Sequence, residues 1–447
     1  MNIRFYNSLS KKVEDFKTIK PNQVSMYVCG PTVYNYPHIG NMRPVVVFDT
    51  LRRFLEYVGY KVTYVSNFTD VDDKIINKAL QEKKSEKEVT EYFIGEFKND
   101  IHCIGCKDPN VTPKVTEYMS QIISYIDVLI KKGAAYEKNG NVYFRVSKIK
   151  DYGSLSGINI DDLITGARVE TNDEKESPLD FALWKKTSEG ISWDSPWGKG
   201  RPGWHTECCV MIDTIFPPDG LIDIHGGGYD LKFPHHENEI AQAEARHNNK
   251  IANYWLHNNF ININNEKMSK SLGNVIYAKD LIEQFGGNVV RMVILSTHYR
   301  APVNFTNETI ESSKNEVQKI ENVYRQMALV LQINEKKIPT IGHASGMEKF
   351  LDSLADDLNT SNALAELYEV TKRANQSLRQ REIDFDLIEQ LFSTMSDMLS
   401  ILGIDIKYVR LNTADKKLYE EYLAAKAKKD FSLSDKLRAE LIEKKII

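Results

Sequence analysis

The stretch Met26-Tyr27-Val28-Cys29-Gly30-Pro31-Thr32-Val33-Tyr34-Asn35-Tyr36-Pro37-His38-Ile39-Gly40-Asn41-Met42-Arg43 decides the fold. The alternation of Val24, Met26 and Val28 reads as a strand, and Cys29-Gly30-Pro31 must turn the chain. Beyond Pro44, the side chains of Val47, Leu51, Phe54, Leu55 and Val58 share one helical face. A β-rich run, residues 61–66, follows. Strand, turn, helix and strand make one right-handed βαβ unit. Ligands of such sheets bind at the C-terminal strand ends, where helix N-termini present unpaired N–H groups. A thiol (Cys29), an imidazole (His38) and a close-approach glycine (Gly40) therefore fall together where a nucleotide would lie.

A chain of 447 residues predicts two or three domains, and an apolar content of 42% allows a sizeable core. No apolar run is long enough to span a bilayer, and the first residues lack the apolar stretch of a signal peptide. A cytoplasmic protein with no membrane partner is expected. Five cysteines in a chain of this length do not make a disulfide framework. They predict a reducing compartment and free or metal-bound thiols. A net charge of −4 gives no global sign of nucleic-acid binding, so any basic surface must be local.

Outward from the opening unit, residues 66–74 again fall at a strand end. Thr69 offers a hydroxyl there, and Asp70, Asp72 and Asp73 offer carboxylates for a helix cap, for a ligand, or for both. A helix over 74–102 follows. Cys103-Ile104-Gly105-Cys106 lacks the second pair that a zinc ribbon needs, which favours a structural role. Residues 114–132 read as a helix, and Asn139-Gly140 as a hairpin turn before a strand at 141–146. The turn-rich chain to about residue 200 reads as an insertion. A strand at 221–225 runs into Gly226-Gly227-Gly228-Tyr229-Asp230, and Phe233-Pro234-His235-His236-Glu237-Asn238-Glu239 opens a helix. His235 and Glu239 are four apart and share a face; such pairs are common on surfaces. With Cys29 and Cys208 at turn ends they form a donor set suited to tetrahedral zinc, and Cys209 is the alternative thiol. A strand at 253–257 and a hairpin at 258–265 precede Glu266-Lys267-Met268-Ser269-Lys270-Ser271-Leu272-Gly273-Asn274. There, two lysines three apart suit a polyphosphate. Helical character resumes over 275–298. From 307 onward, helical segments at 307–333, 346–357, 361–380, 384–402 and 414–444 predict an all-α bundle, with a linker at 334–345. Residues 1–22 read as a polar surface lead-in. The fold class is α/β followed by all-α: a Rossmann-like parallel-sheet domain with an insertion, then a C-terminal helical bundle.

Pro37-His38-Ile39-Gly40-Asn41 and Lys267-Met268-Ser269-Lys270-Ser271 resemble, in order, the two signatures of class I aminoacyl-tRNA synthetases. Tyr-Val-Cys-Gly-Pro-Thr-Val-Tyr at 27–34, Asn-Phe-Thr-Asp-Val-Asp-Asp-Lys at 67–74, Asp-Ile-His-Gly-Gly-Gly at 223–228 and Phe-Pro-His-His-Glu-Asn-Glu at 233–239 are similar to the cysteinyl-tRNA synthetases. The likeness runs from about residue 20 to the end. Three departures stand out. Asn41 replaces the last histidine of the first signature, Cys209 stands where the family more often has serine, and the chain stops at Ile447 where members usually continue. The resemblance implies a catalytic domain over 1–306, with the insertion at about 114–200 and the signature loop at 267–271. A linking helical region over 307–345 and a helical anticodon-binding domain over 346–447, shortened at its C-terminus, complete it.

The resemblance also implies a two-step ligase that needs no side-chain nucleophile. Cysteine attacks the α-phosphorus of ATP, and the acyl group then passes to the terminal ribose of tRNA(Cys). His38, Gly40 and Asn41 hold the phosphates. Lys267 and Lys270, with Ser269 in their loop, neutralise the developing charge, and Mg2+ accompanies ATP. One Zn2+ per chain, held by Cys29, Cys208, His235 and Glu239, takes the substrate thiolate. This discriminates against serine, which a pocket working by size separates by only ~1–3 kcal/mol. Gly30, Thr69, Trp204, His225 and Asp230 form the cysteine pocket. Partners are ATP, L-cysteine and tRNA(Cys), and a monomer is expected. One rival is a ligase joining cysteine to a small amine, which the long helical tail disfavours. A zinc hydrolase on His235 and Glu239 would leave residues 267–271 and ATP without a role. A non-catalytic tRNA-binding module would not need the signatures.

Overall fold

Four parallel strands lie in the order Ala252–Asn258, Ile222–Gly228, Gln23–Val28, Lys61–Ser66. Most of their side chains are buried, on both faces of the sheet. The computed structural model describes residues 1–158, 174–218, 220–268, 273–342 and 344–447. From Gln23–Val28 the chain crosses through the helix Ile39–Tyr57 to the strand Lys61–Ser66. From Ile222–Gly228 it crosses through Glu237–His247 to Ala252–Asn258 on the other side. The two central strands therefore diverge in their connections, and their C-terminal ends form a topological switch point. Glycine at 226 lets the Phe48 ring close against this sheet, because any Cβ there would collide with it.

The helix Ile39–Tyr57 begins ahead of Pro44, beyond which its apolar face is read from the sequence, and encloses that proline. His38 is its N-cap, and Asn41 Oδ1 accepts the His38 N–H at 3.0 Å. Arg43, one turn in and buried, donates to the carbonyls of Phe260, Tyr299 and Ala301, and so ties the helix start to the far edge of the cleft. Burial lowers its guanidinium to about 10, still charged at neutral pH.

The insertion is an antiparallel sheet, Ala135–Lys138, Asn141–Phe144, Phe181–Lys186 and Gly200–Pro202, backed by the helix Met119–Lys131. Asn139 and Gly140 both take positive φ, 55° and 89°, as the hairpin requires. Part of this turn-rich stretch, residues 159–173, lies outside the described residues.

Four expectations change. The helix over 74–102 is two, Asp73–Glu82 and Glu86–Cys103, because Lys83 turns left-handed and Ser85 with Glu88 caps a new start. The 414–444 segment likewise breaks into Thr413–Ala427 and Phe431–Glu443, with Asp430 as the second cap. The hairpin after the fourth strand is Ile261–Ile263 with Glu266–Lys267, turned by left-handed Asn264 and Asn265. The N-terminal lead-in is a hairpin, Arg4–Asn7 with Lys12–Asp15, whose Phe5, like the adjoining Phe16, sits in the core.

Helices Asn307–Ile333, Thr360–Leu378 and Phe385–Leu402 pack into a bundle that shares one continuous core with the helix Ile39–Tyr57. At this junction Asp49 and Arg291 form a buried ion pair at 2.6 Å. Arg53 reaches the Ser400 carbonyl at 3.0 Å, and Tyr57 donates to Asp397 at 2.8 Å. Cys106 is buried against Arg291 at 3.1 Å, while Cys103 is exposed. No helix among the described residues is long and apolar enough to cross a membrane.

Candidate active site and metal centre

A cleft of about 690 Å³ opens at the switch point. Cys29, Gly30, His38, Gly40, Asn41, Trp204, Asp230 and Lys267 all line it. Gly30 is held by its N–H on Asn67 Oδ1 at 2.9 Å, and a Cβ there would overlap the Asn67 carbonyl. Lys267 lays its ammonium over the Phe260 ring at 3.8 Å. Ser269 and Lys270 lie outside the described residues. The segment just beyond them is stitched to the first signature. Ile39 N–H bonds the Ile276 carbonyl at 3.0 Å, and Ala278 N–H the Pro37 carbonyl at 2.9 Å.

At the floor of the cleft Cys29, Cys208, His235 and Glu239 bring one donor atom each within 4.8 Å of the others. The sulfurs are 3.6 Å apart, Cys208 Sγ is 3.7 Å from His235 Nε2, and Cys29 Sγ is 3.7 Å from Glu239 Oε1. Tetrahedral zinc with bonds of about 2.0–2.3 Å has edges of roughly 3.3–3.8 Å, so these three fit. The His235–Glu239 edge, 2.9 Å, is that of a hydrogen bond. A second grouping, Cys29, His225, His236 and Glu239, also meets the distance test. Its His225 Nε2–Glu239 Oε2 edge, 2.6 Å, falls further from a tetrahedral edge than the 2.9 Å of the first grouping. His236 turns its other nitrogen to His257 at 2.8 Å, and His257 continues to Ser8 Oγ at 2.9 Å.

The electrostatics favour a cation. The hydrogen bond from Cys29 pulls Cys208 down to about 6, whereas burial and the Cys208 sulfur raise Cys29. Burial alone would depress His235, but Glu239 and then Cys208 outweigh it and raise the imidazole to about 10. Burial would raise Glu239, yet His225 and His235 hold it well below the carboxylate range. Cys208 and Glu239, both pulled low, thus offer one soft and one hard anionic donor in a buried floor, beside the Cys29 thiol and the His235 imidazole, a donor set that suits zinc. Cys209 points elsewhere. Its sulfur faces the carbonyls of His205 and Glu239 at 3.8 and 3.6 Å, and it joins no candidate set among the described residues.

The expected pocket residues separate. Trp204 stacks on His235 with centroids 4.4 Å apart and stays 40% exposed. Asp230 is exposed on the rim. Thr69 and His225 are buried and do not line the cleft. Thr69 donates to Glu207 at 2.9 Å, and His225 stacks on Trp255 at 4.5 Å behind Glu239. Of the acids after the second strand, Asp70 accepts from Thr116, Asp72 caps its helix, and Asp73 pairs with Arg201 and Lys185. The sequence reading gave no role to His236 or His257. The His235-His236 doublet was the visible signal for one of them. His205, 3.2 Å from the far nitrogen of His235, likewise has no role in the sequence reading.

Residues 15–315 match the family described as tRNA synthetases class I (C) catalytic domain, and residues 349–407 match the DALR domain. A Geobacillus thermodenitrificans protein named cysteine–tRNA ligase is 46% identical over 453 residues, covering 100% of this chain and 97% of its own. A Bacillus cereus protein of the same name is 45% identical over 456 residues, with the same coverage. The Mycobacterium tuberculosis methionyl-tRNA synthetase in complex with methionyl-adenylate superposes with a TM-score of 0.62 at 13% identity, over 86% of this chain and 90% of that one. A Campylobacter jejuni structure described as a putative arginyl-tRNA synthetase gives 0.57 at 15% identity, over 88% and 95%. At those identities the solved structures speak to the fold alone. The full-length relatives speak to more, and with them the chain belongs to the cysteine–tRNA ligase family of class I tRNA synthetases.

Proposed function

We propose that the chain activates L-cysteine with ATP, releasing pyrophosphate, and transfers the cysteinyl group to the 3′ end of tRNA(Cys). One observation carries the reading: Cys29 and His38 come off one turn into a single cleft. The anchor for a substrate thiol and the anchor for phosphates therefore flank the same space.

His38, at the helix N-terminus, and Gly40 receive the triphosphate, where the helix dipole favours anions. Asn41 uses its carbonyl oxygen on the cap and has its NH2 left to donate to a phosphate oxygen. Lys267 and Lys270 neutralise charge as the α-phosphorus becomes pentavalent and pyrophosphate departs, with Ser269 in the same loop; Mg2+ accompanies ATP. Catalysis is then positioning plus charge stabilisation. Cys29, Cys208, His235 and Glu239 would hold one Zn2+, which when bound supplies a soft acceptor for the substrate thiolate. Trp204 holds the His235 ring in plane, His225 holds Glu239, and Thr69 holds Glu207 beside Cys208. Gly30 and Asp230 face the amino-acid end of the cleft. Residues 346–447, reached through 307–345, supply the anticodon contacts, and the chain works as a cytoplasmic monomer.

Cysteine-dependent ATP–pyrophosphate exchange, with serine as control, tests the first step, and acylation of tRNA(Cys) tests the second. The reading expects cysteine to support exchange and serine not. Transfer to a small amine with no transfer to tRNA would move the chain to the rival ligase class.

A further inference from the structure

Aromatic faces run out of the cleft along one side. Tyr34, Tyr36 and Tyr277 belong to its wall. Tyr92 continues the row outside it, edge-on to Tyr36 with centroids 6.1 Å apart, and is 49% exposed. Tyr36 also meets Tyr277 edge-on at 6.0 Å, so the row is braced at its centre. Two ammonium groups lie over this row: Lys74 Nζ is 5.6 Å from the Tyr34 ring, and Lys279 Nζ is 3.7 Å from the Tyr36 ring. Lys84, close by, already pairs with Glu82, and Glu88 is taken up by the Ser85 cap. No ion pair holds Lys74 or Lys279 among the described residues, so both cations remain available to an anion.

Resting on the proposed function, we infer that this row is the landing track for the single-stranded acceptor end of tRNA. The chemistry selects that occupant. ATP and cysteine are consumed inside the cleft and have no need of Tyr92, which lies beyond its wall. The acceptor end must travel from the surface to the adenylate. Unpaired bases stack on aromatic side chains whatever their sequence, and neighbouring lysines neutralise the backbone between them. The track starts one residue before the Pro37-His38 turn, so a terminal ribose lying along it ends beside the phosphate anchor.

The test uses the full chain, because the parent's cysteine-dependent exchange and tRNA acylation report on the proposed function by themselves. Tyr92→Ala, Tyr92→Phe and Lys279→Ala are then compared in three assays: pyrophosphate exchange, trapping of the cysteinyl group by hydroxylamine, and tRNA acylation. The expected result is exchange and trapping within twofold of the parent for all three variants. Tyr92→Ala lowers kcat/KM for tRNA about tenfold, the loss of one stacked base, and Tyr92→Phe restores it. Lys279→Ala weakens tRNA use and makes it less salt-dependent, as loss of one phosphate contact does. Parental tRNA acylation by Tyr92→Ala overturns the inference. So does a proportional fall in exchange, which would place the row in the adenylate site.

Discussion

His225 Nε2 lies 2.6 Å from one oxygen of Glu239, and His235 Nε2 lies 2.9 Å from the other. One carboxylate is thus clamped between a ligand candidate and an imidazole that cannot reach the cleft. Residues that orient metal ligands typically change metal affinity by 10–100-fold when removed. His225→Ala is expected to lose zinc at chelator concentrations the parent withstands, with the fold retained by circular dichroism. His225→Gln, which keeps a donor near Glu239, is expected to recover part of the loss. Parental zinc retention by His225→Ala would show that Glu239 needs no such support.

The two adjacent thiols make opposite predictions. Cys208 faces Cys29 and His235, whereas Cys209 turns away to the backbone carbonyls of His205 and Glu239. Cys208→Ala is expected to remove zinc and abolish discrimination of cysteine from serine in pyrophosphate exchange. Cys209→Ser keeps a small donor for the same carbonyls and is expected to leave metal content unchanged. Metal analysis of the two purified variants decides between them.

The thiol, the phosphate anchor and the helical His–Glu pair were legible because each follows from local periodicity: a strand end, a helix start, a spacing of four. The histidines behind them were not, since His225, His236 and His257 meet only through sheet order, which sets the strand Ile222–Gly228 beside both Gln23–Val28 and Ala252–Asn258. Thr69 and His225, which the resemblance sets in the cysteine pocket, are buried and lie off the cleft wall, a depth that a strand-end position does not reveal. The break at Lys83 had a signal, Ser85 three before Glu88, but continuous helical charge patterning across it concealed the stop. Phe5 and Phe16 stand in a polar stretch, and only the hairpin that pairs Arg4–Asn7 with Lys12–Asp15 shows that both are core.

Asn41 separates a helix cap from a phosphate contact. Its oxygen caps His38 and its NH2 makes no hydrogen bond to the described residues. Asn41→Asp keeps an acceptor for the cap, removes the donor and sets a negative charge beside the phosphates. The expected outcome is near-parental thermal stability with pyrophosphate exchange reduced at least tenfold and KM for ATP raised. Asn41→Ala also loses the bond that reaches back to the His38 N–H and is expected to be less stable than the parent. If Asn41→Asp exchanged at the parental rate, the amide would have no part in holding ATP.

The junction between the two halves carries its own pH signature. Asp49 and Arg291 pair at 2.6 Å with side chains 1% and 0% exposed, and Arg53 joins Asp49 at 2.8 Å. Burial alone would raise the Asp49 carboxyl, but Arg291 and then Arg53 reverse this and hold it below the usual carboxylate range. A carboxyl depressed in the folded state contributes stability that is complete above its unfolded pKa, about 3.9, and is lost as pH falls through the folded value. Asp49→Ala strands a buried guanidinium and is expected to cost about 3–5 kcal/mol near neutral pH. Its deficit relative to the parent should hold constant from about pH 6 upward and shrink below pH 4, as the parent loses the same contribution. Denaturant unfolding of both proteins across that range measures it. A deficit that grew on acidification would mean that Asp49 is not held ionised by its arginines.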